Sequence, residues 1–370
     1  MMLEEVPFFI TIQPNKYNSE RSSRAVIVKK MILSYNEERN NWCKFAAKGR
    51  IPMLTLVDIQ EAQQRIAPHI IRTPLLRQPA LDPILGCEVY LKHEGLQMTG
   101  SFKLRGATNK ILTLTPEELK NGVVAASSGN HAMGVACAAG RQGVKAIIVM
   151  PTNANPVKIA GVQDWGGTVL LEGTLSSERE AIARALVEKE GMAEIHPFGD
   201  SFVAAGQGTI GLEIMADLPD ADTVIVPIGG GGLISGVATA VKAIKPSIRV
   251  VGVEPAGAPR YTLSRKEKRP VKLETVSTIA DGTRTDCANP ANFAMIEKLV
   301  DELVTVEDNW IEQAMKIAAV KAKLVVEPSS VMGLAALLSG KIACQAREKV
   351  CFALSGGNND LAQLARILVK

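Results

Sequence analysis

Three apolar runs, each typical of a buried strand, end in a short loop of Ser, Gly or Asn. These loops are residues 127–131 (Ser-Ser-Gly-Asn-His), 229–232 (four glycines) and 355–358 (Ser-Gly-Gly-Asn). The first two are followed by small-residue runs typical of a helix. In an open α/β sheet, loops at the carboxyl ends of the strands bind ligands. The pattern therefore predicts an α/β fold with a ligand site built from these loops.

The tetraglycine predicts a phosphate site. It lies between a strand-like run at 223–228 and a helix that opens at Leu233. Glycine lets the backbone approach an anion closely, and a helix N-terminus adds partial positive charge. Ile234 and Ser235 stand where a dinucleotide-binding G-x-G-x-x-G needs glycine, and the Lys-Ser/Thr of a P-loop is missing. A flexible linker, the alternative, does not separate two apolar, periodic elements.

Lys103 lies between Phe102 and Leu104, at the start of a helical run of small residues. A lysine in an apolar pocket loses its proton readily and becomes a nucleophile toward aldehydes. The alternative is a solvated lysine whose stem lies along the helix. Residues 127–131 suit a carboxylate, because the following helix start directs several N–H groups at one point. An ordinary N-cap is the alternative there.

These loops, together with four further motifs, resemble in order and spacing the fold-type II pyridoxal-phosphate enzymes, and among them the threonine/serine dehydratase and serine racemase family. The further motifs are Lys92-x-Glu94-x-x-Gln97, Ser101-Phe102-Lys103, Ala205-Gly206-Gln207-Gly208-Thr209 and Ala280-Asp281-Gly282. The resemblance runs from about Leu54 to the C-terminus, and the tetraglycine favours the dehydratase branch over related sulfhydrylases.

The resemblance implies two open three-layer αβα domains with mainly parallel twisted sheets, a fold like that of the tryptophan synthase β subunit. It also implies pyridoxal 5'-phosphate as cofactor, a small amino acid as substrate, and a homodimer or homotetramer as the assembly.

Each matching residue takes an implied role. Lys103 would bind the cofactor covalently and then act as base for the substrate's α-proton. Phe102 would pack on the cofactor ring, Asn130 would hydrogen-bond the ring hydroxyl, and Ser355 would face the pyridine nitrogen. The phosphate would be held by Gly229, Gly230, Gly231 and Gly232.

The substrate carboxylate would be bound mainly by the 127–131 loop. The residues implied are Ser127, Ser128, Gly129, His131 and, further along the chain, Thr285. Ser128 also matches the serine that racemases of this family use as acid or base on the opposite face, where many dehydratases carry alanine.

The sequence predicts no metal site. Racemase-type members of the family bind a divalent ion through a glutamate shortly after a strand and an aspartate six residues later. Glu254 stands in the first position, but Arg260, a cation, stands in the second. Ser128 therefore indicates racemisation, whereas Arg260 argues against its usual metal activation.

The sequence predicts seven strands and several helix starts. The strand-like runs are 88–92, 123–127, 145–150, 168–172, 223–228, 248–253 and 351–354. Helices are expected to begin at Pro156 and Ser176, and Thr55 with Asp58 forms a capping-box-like helix entry.

The alternation of strand-like and helix-like runs predicts two domains. The chain has 370 residues, of which 46% are hydrophobic and 22% charged, so it can bury large cores. We predict a large cofactor-binding domain at 54–121 and 200–370, and a small domain at 122–199. Residues 1–53 lack the family motifs and are predicted to be an N-terminal extension, either an appendage or sequence upstream of the true start. A regulatory or oligomerisation arm is the alternative.

Charge and cysteine usage indicate a reduced, cytoplasmic protein. Residues 1–53 carry nine Lys/Arg against five Asp/Glu, a surplus that equals the net charge of +4 for the whole chain. The neutral remainder gives no reason to expect a nucleic-acid partner. No run of about 18 apolar residues predicts a membrane span. The six cysteines show no C-x-x-C spacing, which argues against a zinc site or a disulfide framework.

The predicted activity is elimination of water from a β-hydroxy amino acid. The substrates would be L-threonine, giving 2-oxobutanoate and ammonia, and L-serine, giving pyruvate. The alternatives are amino-acid racemisation, dehydration of a bulkier β-hydroxy amino acid, another β-elimination, or a binding role. Hydrophobic pockets discriminate by only about 1–3 kcal/mol per methylene, and the pocket wall carries no signature that selects among these substrates.

Overall fold

Two β-sheets, each with helices on both faces, organise the chain. A computed structural model of the protein describes residues 53–369. The predicted N-terminal extension, apart from Met53, lies outside the described residues. Within residues 53–369, no helix is long and apolar enough to cross a membrane.

The described residues contain ten strands and fourteen α-helices. The strands are β1 (Leu75–Arg77), β2 (Glu88–His93), β3 (Val123–Ala126), β4 (Ala146–Met150), β5 (Thr168–Leu171), β6 (Ala193–Glu194), β7 (Thr223–Pro227), β8 (Arg249–Pro255), β9 (Glu302–Val306) and β10 (Lys349–Leu354). The helices are α1 (Leu56–Ile66), α2 (Asp82–Leu85), α3 (Lys103–Thr113), α4 (Pro116–Leu119), α5 (Asn130–Gly140), α6 (Pro156–Asp164), α7 (Ser176–Glu190), α8 (Ser201–Asp217), α9 (Gly232–Ile244), α10 (Arg260–Glu267), α11 (Pro290–Leu299), α12 (Asp308–Ile317), α13 (Met332–Leu338) and α14 (Leu361–Val369). Short 3-10 turns span Ala67–His69, Glu94–Leu96, Asp281–Thr283 and Pro328–Val331, and a π-turn at Ala318–Ala322 follows α12.

The sheets are almost entirely parallel, which confirms the predicted fold class. The larger sheet has six strands in the order β1-β2-β10-β7-β8-β9, and the smaller has four in the order β5-β4-β3-β6. Only β1 pairs antiparallel, with β2. All strands of the smaller sheet come from the predicted small domain at 122–199, and those of the larger sheet come from outside it. The division into two domains stays a prediction.

The strands that carry the site loops are buried on both faces. In β7, Ile225 packs into a core with α12 and α13, whereas its neighbours Val224 and Val226 pack into a second core with α8 and α9. In β3, Val123 and Ala125 face α3 and α5, and Val124 faces α7. Strands covered on both faces must be apolar throughout, which explains the continuous apolar runs in the sequence.

Most predicted elements are confirmed. The runs at 88–92, 123–127 and 223–228 form β2, β3 and β7, and α6 and α7 begin at the predicted Pro156 and Ser176. The capping box that opens α1 is present, with Thr55 N donating to Asp58 Oδ2 at 2.8 Å. The prediction missed β1, β6 and β9. All three are edge strands with partly exposed residues, so they lack the continuous apolar run of a central strand.

Four buried charges join β2, α3 and α8. The Lys92 ammonium lies 2.5 Å from Glu213 Oε2 and donates to Thr73 O at 2.6 Å. The Arg105 guanidinium binds Glu94 through Nε at 2.8 Å and Nη2 at 2.9 Å. It binds Glu213 through Nη1 at 2.7 Å and Nη2 at 3.0 Å. Two cations and two anions therefore balance in a site closed to water, which we call the buried charge network.

This network fixes the helix that carries Lys103. Arg105 lies two residues after Lys103 on α3, and its partner Glu213 lies on α8. The two helices approach so closely at Gly106 that a Cβ there would overlap the Gln207 side chain. Gln207 Oε1 accepts from Gly106 N at 3.2 Å, so a hydrogen bond reinforces the approach. The start of α3 is therefore held by contacts that leave little freedom to shift.

Removing one member of the buried charge network should destabilise the protein strongly. Arg105→Met leaves Glu94 and Glu213 buried without their main partner, which typically costs about 3–5 kcal/mol in free energy of unfolding. The matched control is Arg77→Met, because Arg77 pairs with Asp82 where both side chains are about a third exposed. That substitution should cost about 0–1 kcal/mol. Urea unfolding of both variants measures the difference, and equal losses would contradict this account of the network.

Candidate active site

One cavity brings together every residue that the sequence predicted for the cofactor and the substrate. Its volume is about 1090 Å³, and it lies where the carboxyl ends of strands from both sheets meet. The predicted residues that line it are Phe102, Lys103, Ser127, Ser128, Gly129, Asn130, His131, Gly229, Gly230, Gly231, Gly232, Thr285 and Ser355. Four lining residues that the sequence did not single out are Lys158, Pro197, Phe198 and Glu327.

Burial makes the Lys103 amine easier to deprotonate than a free lysine. Its Nζ donates to Pro197 O at 2.8 Å and lies 5.0 Å from the centroid of the Phe102 ring. No ion pair to Lys103 is present within residues 53–369. Burial lowers the pKa of Lys103 from 10.5 to about 8. The lowered pKa fits the easily lost proton expected from the sequence, although Lys103 is only half-buried and lines a cavity with many polar residues.

Two histidines near Lys103 are neutral. Burial, with the nearby Lys103 charge, lowers the pKa of His131 to about 3 and that of His196 to about 4. His196 Nδ1 accepts from Gly199 N at 2.7 Å, which leaves any ring proton on Nε2. Both imidazole rings are therefore uncharged at neutral pH, and neither contributes an ionic charge that would shift the pKa of Lys103.

The 127–131 loop presents helix N–H groups to the cavity. Gly129 is the N-cap of α5, which begins at Asn130, so the first N–H groups of the helix have no partner within it. His131 Nε2 lies 2.7 Å from Ile195 O, so it carries the ring proton and Nδ1 carries a lone pair. This tautomer cannot donate from Nδ1 to a carboxylate. Any contact of His131 with a carboxylate would therefore come from its backbone N–H, and that role stays a prediction.

Asn130 is fixed by a carboxylate that the sequence analysis missed. Its Nδ2 donates to Glu327 at 2.8 Å and 3.0 Å, and its Oδ1 accepts from Asn358 Nδ2 at 2.8 Å. Burial raises the pKa of Glu327 to about 7, although the hydrogen bond from Asn130 partly opposes this. The one sequence feature that could have indicated this role is that Glu327 is a single acidic residue at the end of an apolar run, directly before Pro328.

The Lys103 loop and the Ser355 loop are hydrogen-bonded to each other. Phe102 N donates to Ser355 O at 3.1 Å, and Gly357 N donates to Gly100 O at 2.9 Å. The Ser355 hydroxyl lies 3.1 Å from Ser330 Oγ and is nearly buried. A neutral hydroxyl, with no carboxylate bound to it, therefore stands at the predicted pyridine-nitrogen position.

The tetraglycine loop has no room for side chains. A Cβ at Gly230 would collide with the Phe198 ring, and one at Gly231 would lie 2.5 Å from Tyr261 Oη. Gly231 also has a φ of +88°, which favours glycine. The loop leads directly into α9, so its N–H groups and the helix start form a concave donor set suited to a phosphate.

The two residues considered for a metal site form an internal pair. Arg260 Nε lies 3.7 Å from Glu254 Oε1, and both side chains are buried. The Glu254 carboxylate also accepts from the N–H groups of Tyr261 at 3.0 Å and Thr262 at 2.7 Å. Within the part of the chain that the structure describes, no three His, Cys, Asp or Glu residues are grouped to hold a metal ion. The absence of a metal site stays a prediction.

The cavity fits pyridoxal phosphate on three observations. A lysine amine of lowered pKa suits covalent attachment of an aldehyde. A loop with no space for Cβ atoms suits a phosphate that contacts the backbone. Asn130 and Ser355 offer neutral hydrogen-bonding groups for the ring hydroxyl and the ring nitrogen.

Comparison with known proteins agrees with this fit. The family described as pyridoxal-phosphate dependent enzyme matches residues 66–356. L-threonine ammonia-lyase of Thermotoga maritima is 45% identical over 318 residues, covering 86% of this chain and 79% of that protein. Serine racemase of Oryza sativa subsp. indica is 42% identical over 316 residues, covering 84% of this chain and 93% of that protein. The solved structure of maize serine racemase has a TM-score of 0.82 and 39% identity, covering 86% of this chain and 98% of that one. This chain therefore belongs to the family of pyridoxal-phosphate dependent enzymes.

Proposed function

We propose that this protein eliminates water from L-threonine, giving 2-oxobutanoate and ammonia, and acts likewise on L-serine to give pyruvate. The observation that supports this most is the Lys103 amine, whose pKa of about 8 makes it a usable base inside the cavity. The similarity to an L-threonine ammonia-lyase, at 45% identity, supports the same substrate class.

The base role follows from the state of one nitrogen. Pyridoxal phosphate, when bound, supplies the electron sink for the negative charge left on the substrate's α-carbon. Lys103 Nζ accepts the α-proton only when neutral, because an ammonium has no lone pair. Its hydrogen bond to Pro197 O uses an N–H and leaves that lone pair free.

The surrounding groups orient the substrate and favour loss of its hydroxyl. The N–H groups at the start of α5, with the Ser127 and Ser128 hydroxyls, would bind the substrate carboxylate. Ser355 would leave the ring nitrogen largely unprotonated, since a hydroxyl is far less acidic than a carboxyl. An unprotonated ring nitrogen would make the cofactor a weaker store of negative charge, which would favour prompt loss of the β-hydroxyl. The α-proton taken up by Lys103 and the departing hydroxide would together make up the water that is lost.

Amino-acid racemisation is the second candidate, and Ser128 is the observation that favours it. Its hydroxyl lines the same cavity as Lys103, on a loop from the other sheet. An acid or base opposite Lys103 could return a proton to the other face of the α-carbon. The similarity to a serine racemase at 42% identity supports this reading too.

A product screen separates the two candidates. Ketoacid formation would be measured with L-threonine, L-serine and bulkier β-hydroxy amino acids, together with the chirality of the substrate that remains. We expect 2-oxobutanoate from L-threonine as the main product. Racemisation of L-serine that outpaces pyruvate formation would contradict the proposed elimination.

Lys103 should be the site of covalent cofactor attachment. Borohydride reduction of the purified protein, followed by peptide mass spectrometry, should place the cofactor on Lys103, and Lys103→Ala should lose both the label and activity. Lys158 also lines the cavity, with its Nζ 2.9 Å from Asp281 Oδ2, and is the matched control. Label on Lys158 would overturn the assignment.

Ser128→Ala should separate racemisation from elimination. If Ser128 is the opposite-face acid, its loss should lower D/L interconversion by ~10²–10⁴-fold and leave the kcat for L-substrate elimination largely intact. Ser127→Ala is the control, because loss of that carboxylate-binding hydroxyl should raise KM for both reactions together. Parallel loss of both reactions in Ser128→Ala would contradict separate roles for Lys103 and Ser128.

Cytoplasmic location and a homodimeric or homotetrameric assembly remain predictions. The location is supported by four cysteines within residues 53–369 that are free thiols, namely Cys87, Cys137, Cys344 and Cys351.

A further inference from the structure

A buried arginine lies directly behind the tetraglycine loop. Arg260 begins α10, and its side chain is fully buried. Its Nη1 donates to Gly229 O at 2.8 Å, to Thr283 O at 3.0 Å and to Thr285 Oγ1 at 2.5 Å. Its Nη2 donates to Ala258 O at 2.5 Å. One guanidinium therefore joins the loop after β8, the tetraglycine loop and the 283–285 loop.

The first two carbonyls of the tetraglycine loop are held from the side away from the cavity. Gly229 O accepts from Arg260, and Gly230 O accepts from Tyr261 Oη at 2.8 Å and Asn292 Nδ2 at 2.8 Å. In a trans peptide the C=O and the following N–H point in opposite directions. The N–H groups of Gly230 and Gly231 therefore point away from these donors.

Those two N–H groups are left free to bind a ligand. Among residues 53–369, neither the Gly230 N–H nor the Gly231 N–H has a hydrogen-bond acceptor. Both glycines line the cavity. Two oriented donors without partners, next to the start of α9, are what a phosphate requires.

The same guanidinium sets the direction of a hydroxyl at the cavity wall. Thr285 lines the cavity, and its Oγ1 accepts from Arg260. Arginine has no acceptor, so this bond cannot reverse, and the Thr285 hydroxyl hydrogen is free to donate elsewhere. A third donor is thus available to an anion in the cavity.

We propose that Arg260 is a positioning residue that presets the phosphate site: it orients the Gly230 N–H, through the Gly229 carbonyl, and the Thr285 hydroxyl, without touching the cofactor. The inference rests on pyridoxal phosphate as cofactor and not on which amino acid reacts. A guanidinium suits this task because its planar fork reaches several acceptors at once, whereas a lysine ammonium is a point charge. Glu254, 3.7 Å from Arg260 Nε, balances the buried charge.

The test compares binding of two ligands that differ only in the phosphate. The full-length protein would be freed of cofactor and titrated with pyridoxal phosphate and with pyridoxal, following absorbance. The variants are Arg260→Met, which removes the charge and the fork, and Arg260→Lys, which keeps the charge opposite Glu254. The matched control is Arg265→Met, because Arg265 lies on the same helix and binds Glu297 Oε1 at 2.6 Å and Val300 O at 2.9 Å.

We expect Arg260→Met to raise the dissociation constant of pyridoxal phosphate by ~10–100-fold, the loss of a charged hydrogen bond. The constant for pyridoxal should not change. Arg260→Lys should show the same selective loss to a smaller extent, and it guards against misfolding of the neutral variant. Arg265→Met should change neither constant.

Several outcomes would overturn the inference. One is an equal loss of affinity for pyridoxal phosphate and pyridoxal in Arg260→Met, which would indicate a general structural role. Others are unchanged phosphate selectivity in Arg260→Lys, or a selective loss in Arg265→Met. Wild-type protein that binds pyridoxal phosphate no better than pyridoxal would instead overturn the cofactor assignment itself.

Discussion

The buried charge network of Lys92, Glu94, Arg105 and Glu213 is the constraint on which the site depends. Each charge is satisfied only while β2, α3 and α8 keep their positions, because burial makes an unpaired charge costly. Keeping these charges paired therefore also fixes the relative positions of the strand and the two helices. The N-terminal end of α3, where the reactive lysine lies, is fixed by side chains that never enter the cavity.

Around the buried charge network, the site combines fixed hydrogen bonds with uncharged neighbours of the Lys103 amine. The amine faces a carbonyl, an aromatic ring and two neutral histidines, so burial is the cause that lowers its pKa. Two charged groups near the site act indirectly. Glu327 acts through Asn130, and Arg260 acts through the tetraglycine loop. The chain's own residues therefore hold the cavity ready for an anionic cofactor while lowering the pKa of the base.

The sequence was sufficient to predict the fold class and thirteen of the residues that line the cavity, because each strand-loop-helix unit carries its own local signal. It did not reveal partners that are distant in the chain. Glu213 lies 108 positions from Arg105, and Glu327 lies 197 positions from Asn130. No local pattern specifies such pairs. The sequence also could not give the tautomer of His131, which depends on the Ile195 carbonyl. It showed Arg260 only as a residue unsuited to a metal site and did not reveal its hydrogen bond to Gly229 O.

The central claim is that burial beside uncharged groups makes the Lys103 amine neutral enough to act as a base. The most direct test measures the acetylation rate of Lys103 in the cofactor-free protein against pH, by peptide mass spectrometry, with Nα-acetyl-lysine as the standard. Only the neutral amine reacts, so the rate rises as pH passes through the pKa, and a lowered pKa moves the midpoint down. The account predicts a midpoint of about 8. A midpoint near the ordinary lysine value of 10.5 would contradict it.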